Sequence, residues 1–151
     1  QSGRIERPVI GPSLGDSQEV PIMSKTLRAG VTYFALVFGA GFLLGMVRVP
    51  LLVPRLGERW AELAEMPVMA AVIVLAAGHV LRRFPEVRTR TQSAAVGLVA
   101  LCLLVSVELS LTLLLQDRSL GDYVASRDPV SGSVYVALLL VYAAMPWLCN
   151  R

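Results

Sequence analysis

The feature that most constrains this chain is a run of nineteen residues, Ala29 to Val47, without a single charge. At about 1.5 Å per helical residue the run nearly crosses a ~30 Å hydrocarbon core. Three more long apolar blocks follow it. A soluble domain of this length has too little polar surface to hide four such blocks. Composition agrees: 55% of the residues are hydrophobic and 17% charged, where ordinary soluble domains carry about 25% charged residues. The expected fold class is all-α, an integral membrane four-helix bundle.

Spans are expected at about 29–49, 67–82, 92–116 and 132–148. Pro50 and Pro54 are expected to end the first span, because proline lacks the N–H that continues a helix. The segment RLGERWAELAE, residues 55–65, places Leu56, Trp60, Leu63 and Ala64 at helical spacing. That pattern predicts a short interfacial helix with Trp60 as its aromatic anchor. Pro67 suits the first turn of the second span, with Glu62 and Glu65 before it where the helix dipole favours anions. Residues 1–22 mix prolines, glycines and scattered charges without a period. They are expected to be a disordered tail or a remnant foreign to the natural chain. MSKTLRAG, from Met23, looks like a natural start, so residues 23–151 are read as a single membrane domain.

Charge orients the bundle. The formal net charge is +3, and the basic residues gather between the apolar blocks. Lys25 and Arg28 precede the first span, and the loop RRFPEVRTR holds Arg82, Arg83, Arg88 and Arg90. The loops at 48–65 and 117–131 balance arginines with acids. The positive-inside rule therefore places 23–28 and 82–90 in the cytoplasm, and four spans put both termini there. The four loop arginines are candidates for anionic lipid headgroups. This arrangement suits a bilayer surface better than nucleic acid, which is not expected as a partner.

Few residues could carry chemistry. His79 is the single histidine, which excludes a bis-histidine haem or a histidine-rich metal site within one chain. Cys102 and Cys149 form no CxxC pair and read as small packing residues. No cofactor or metal is expected. Glu108 interrupts the third span, roughly 7 Å outward of its centre at helical rise. A carboxyl group at that depth needs protein or water beside it. Arg48, at the outward end of the first span, differs from it in depth by about 6 Å, within reach of an arginine side chain. Glu65 sits at a similar depth. The expectation is a polar cluster of Arg48, Glu65 and Glu108 near the outer leaflet.

Helix faces suggest packing and partners. Gly30, Phe34, Gly41, Gly45 and Arg48 share a face of the first span, and Gly41-x-x-x-Gly45 fits close helix approach. In the third span Ala95, Val99, Cys102, Ser106 and Ser110 form a small-residue stripe, with Glu108 nearly opposite. Gly30, Gly41, Gly45, Ser106 and Ser110 are thus the expected packing residues. Tyr135 and Tyr142 share a face of the fourth span and are expected to pack. With one face of the third span small and the other acidic, that helix is central or meets another subunit.

The segment GFLLGMVRVPLLVPRLGERWAELAEMPVM, residues 41–69 and about a fifth of the chain, resembles uncharacterised bacterial four-helix inner-membrane proteins. The resemblance implies a multi-pass protein of the bacterial inner (cytoplasmic) membrane and carries no activity with it. No nucleophile–base pair or metal cluster stands out, so a lipid-modifying enzyme ranks last. Two readings lead. One is an accessory or scaffold subunit of a membrane complex; the alternative is a small transporter or channel that works as an oligomer through Glu108 and Arg48. A homo-oligomer or a membrane-protein partner is expected in either case.

Overall fold

The computed structural model describes residues 16–115, 121–122, 125 and 128–150. Among them there is no strand. The elements are α1 (Asp16–Val47), a π-helical turn (Arg48–Leu52), α2 (Val53–Leu56), α3 (Glu58–Arg83), a 3-10 turn (Pro85–Val87), α4 (Arg90–Leu115) and α5 (Pro129–Leu148). Four stretches are long and apolar enough to cross a membrane: Met23–Leu56, Glu58–Arg83, Arg90–Leu114 and Pro129–Leu148.

Prolines do not cut the helices where the sequence pattern suggests. Pro50 cannot give Met46 its helical hydrogen bond. The chain answers with a π turn, closed by the Val53 N–H on the Arg48 carbonyl five residues back. The widened turn takes up the ring, and the chain stays helical to Leu56. The break comes at Gly57, whose φ of 81° lies where glycine is the favoured residue. From Glu58 a single helix runs to Arg83 with Pro67 inside it. The expected interfacial helix at 55–65 and the expected second span are therefore largely one element. At the other end α1 begins at Asp16, inside the stretch expected to be disordered. The expectation for residues 1–15, and the end of the third span at 116, lie outside the described residues.

Caps fix the later helix starts. The Thr89 hydroxyl accepts from the Gln92 N–H at 3.3 Å at the head of α4. Asp128 caps α5 by accepting from the Ser131 N–H at 3.1 Å, with Pro129 as the first helical residue. An aspartate cap followed by proline is a strong start signal, and it places the α5 start three residues before the expected Gly132.

α1 packs on α3 and α4, and α5 packs on the same two helices. The order around the bundle is thus α1, α4, α5, α3. Helices α3 and α4 follow each other in the chain yet stand on opposite corners. The 3-10 turn that joins them passes against α1, where Glu86 meets Lys25 at 3.2 Å. The core repeats at helical spacing: Ala29, Tyr33 and Val37 of α1, Ile73, Ala77 and Val80 of α3, and Val96, Ala100 and Leu104 of α4 are all buried. Small residues let the backbones close in. A Cβ on Gly30 would stand 2.7 Å from Val99 Cγ1, and one on Gly97 would stand 2.0 Å from the Ala143 carbonyl oxygen. Across the other diagonal, Tyr33 of α1 stacks on Tyr142 of α5 at 4.7 Å between ring centroids.

The surface is apolar along the helix bodies. Phe42, Leu75, Leu114 and Leu140 are each more than 60% exposed. Polar contacts gather at the two ends. Lys25–Glu86 and the Asn150 side-chain amide on the Arg88 carbonyl mark one end. Arg59 with Asp128 marks the other. The basic 82–90 segment, Lys25 and the residues after α5 thus share one end, as the charge pattern requires.

Candidate functional site

A cavity of about 680 Å³ opens inside the bundle, with walls from all four long helices. Its apolar part is built by Val37, Phe38, Ile73, Leu104 and Tyr142 near mid-bundle, and by Phe42, Met66 and Met69 toward the Arg59–Asp128 end. Its charged groups are confined to that same end. There Arg48, Glu62, Glu65, Glu108 and Tyr135 all line it.

The π turn positions Arg48. Its Nη1 lies 3.2 Å from Glu65 Oε2 and 3.8 Å from Glu62 Oε1. Glu62 and Glu65 are three residues apart on α3, so both carboxyl groups share one face. The three side chains are mostly withdrawn from solvent, with 27%, 17% and 15% of Arg48, Glu62 and Glu65 exposed. The ions attract without hydrogen-bond alignment. Arg48 Nε and Glu65 Oε2 are both buried, and neither has a hydrogen-bond partner. A buried polar atom left this way costs free energy on the order of 1–3 kcal/mol until a partner arrives.

Glu108 is held differently. Tyr135 Oη donates a hydrogen bond to Glu108 Oε2. Among the described residues no lysine or arginine forms an ion pair with Glu108. The expected cluster of Arg48, Glu65 and Glu108 is thus one cavity with two separate pairings: Arg48 with the α3 carboxylates, and Glu108 with α5. Deeper in the same cavity lies Tyr142, only 1% exposed. Its ring packs on Tyr33, and its hydroxyl is buried without a partner.

The other expected residues fall in several places. Gly41 lines the cavity, where its Cβ would touch Met69 at 3.4 Å, and a Cβ on Gly45 would meet nothing within 4 Å. Gly45 therefore leaves space rather than drawing a helix close. Ser106 and Ser110 are exposed on the outside of the bundle, while Val99 of the same stripe meets Gly30. Their hydroxyls bond back to the carbonyls of Cys102 and Ser106, each at 2.7 Å. The buried face of α4 is instead Val96, Gly97, Ala100 and Leu104. Arg82, Arg83, Arg88 and Arg90 are all exposed at the opposite end. Arg90 lies over the Trp147 ring, 5.6 Å from its centroid.

Three site residues carry roles the sequence pattern does not assign: Glu62, Tyr135 and Gly97. Glu62 has a readable signal, since it precedes Glu65 by one helical turn. Tyr135 has one too, since it sits nearly two turns into α5 at the depth where α4 nears its end. Gly97 has none, because only the helix order shows that α5 crosses there.

Family models, curated proteins and solved structures give no match to this chain.

Proposed function

We propose that the chain is a multi-pass protein of the bacterial inner membrane that binds an amphipathic molecule inside its bundle. The observation that carries this is the cavity itself: apolar from Phe38 to Phe42, with charged groups only at the Arg48 end. Its volume falls within the ~300–1,000 Å³ of small-molecule sites, which combine apolar walls with a few placed polar groups. The exposed leucines along the helices face lipid in this reading. The basic end, with Lys25 and the 82–90 arginines, faces the cytoplasm by the positive-inside rule. The polar end of the cavity then sits toward the outer leaflet. Binding of this kind fits a small transporter, alone or as an oligomer, with Arg48 and Glu108 at the ligand.

One observation favours a second reading, an accessory subunit. Cys102, Ser106 and Ser110 make an exposed stripe on α4. The serine hydroxyls are satisfied within their own helix, so the stripe is small and smooth, as membrane helix contacts require.

Native mass spectrometry after gentle extraction separates the two. The binding reading expects a small-molecule adduct that is lost in Gly45→Phe, which projects a ring into the cavity. A stoichiometric foreign protein, with no adduct, would instead establish the accessory reading.

A further inference from the structure

The polar end of the cavity is acidic. Glu62, Glu65 and Glu108 line it, and among the described residues Arg48 is the one basic side chain that does. Arg48 is already engaged by Glu62 and Glu65. Glu108 has a phenol donor and, among the described residues, no ion pair with a lysine or arginine. The buried Glu65 Oε2 still accepts no hydrogen bond. Among the described residues no three His, Cys, Asp or Glu side chains converge as a metal site, so these carboxyl groups do not form a cage for a metal ion. Phe42 and Tyr135 supply aromatic faces beside the acids, and aromatic faces attract organic cations. Tyr142, 1% exposed, closes the deep end of the cavity.

Resting on the binding reading above, we propose that the occupant is a lipophilic organic cation. Its charged nitrogen or phosphonium centre sits between Glu108 and Glu65, and its apolar body lies along Phe42 and Met69 toward Tyr142. Charge complementarity sets the preference: the apolar walls accept either sign of amphiphile, and the three carboxyl groups favour the positive one. Arg48 offsets the charge of Glu62 and Glu65 only, and Glu108 is held by the Tyr135 hydroxyl.

Tetraphenylphosphonium and tetraphenylborate test this, because they match in shape and differ in sign. Equilibrium binding of each to the detergent-solubilised full chain is compared with empty micelles. The expected result is saturable binding of the phosphonium at least tenfold tighter than that of the borate. Glu108→Gln should weaken the phosphonium at least tenfold, and Arg82→Gln, at the far end, should not. Should Glu108→Gln fail to fold, Glu62→Gln serves in its place, and the comparison of the two ions stands without any variant. Equal or tighter binding of the borate would overturn the cation inference while leaving the binding reading intact. An unchanged phosphonium affinity in a folded acid variant would do the same. Saturable binding of neither ion would overturn both.

Discussion

The hydroxyl of Tyr33 donates to the backbone carbonyl of Tyr142 at 2.9 Å, across the diagonal of the bundle. That carbonyl is special. In a regular helix its donor is the N–H four residues on, and here that residue is Pro146, which has none. Tyr33 on α1 therefore supplies to α5 the hydrogen bond that the α5 sequence withholds.

Tyr33→Phe should leave the Tyr142 carbonyl unsatisfied in a buried place. The expected loss is about 1–3 kcal/mol, read as reduced resistance to denaturing detergent. Pro146→Ala returns the helical donor, so Tyr33→Phe in that background should cost much less. If the two substitutions simply add, the carbonyl is not what couples them.

The glycines divide sharply. Gly97→Ala forces a methyl group into the Ala143 backbone, and overpacking of this kind costs about 1–3 kcal/mol or more where backbone must move. Gly45→Ala meets open space and gains helix propensity of about 1 kcal/mol. Thermal unfolding in one detergent should rank Gly45→Ala at or above the native chain and Gly97→Ala well below it.

Two carboxyl groups outside the spans make stability depend on acid. Hydrogen bonds from Arg59 and from the Ser131 N–H hold Asp128 below the usual carboxyl range. A backbone hydrogen bond and the Lys25 ammonium do the same for Glu86. A lowered folded-state value means that the unfolded chain takes up protons first as pH falls. The stabilisation is therefore complete above the ordinary carboxyl range, near pH 4, and is lost as pH falls through and below it. Asp128→Asn should flatten the acid limb of a melting-temperature profile. It should leave the α5 cap largely intact, since asparagine also caps well. An identical acid limb in Asp128→Asn and the native chain would remove Asp128 from this account.

How much of this was legible beforehand differs residue by residue. The four long apolar helices follow from block length alone. The meeting of Arg48 with Glu65 follows from depth, because both lie near helix ends on the same side. The separation of Glu108 from Arg48 does not follow. Rise along a helix gives height and says nothing of azimuth, and azimuth depends on the order α1, α4, α5, α3. That order sets consecutive helices α3 and α4 on opposite corners, which no local pattern encodes. Prolines mislead for a related reason. Pro50 and Pro67 give the same local signal whether they end a helix or ride within one. Here a π turn and the packing of α3 against its neighbours decide for continuation.

Sidedness is the last consequence that can be measured directly. Lys25, Glu86 and Asn150 cluster at one end, and Arg59 and Asp128 at the other. Single cysteines at Glu86 and Arg59, in a chain with Cys102 and Cys149 replaced by alanine, should react with an impermeant maleimide from opposite faces. The positive-inside bias of the 82–90 arginines predicts which is which. In intact cells Arg59→Cys should label and Glu86→Cys should not, until the membrane is opened. The reverse pattern would invert the protein and place the acidic end of the cavity at the cytoplasmic leaflet. Labelling of both from one side would contradict the bundle itself, because the contacts at its two ends cannot form on a single face.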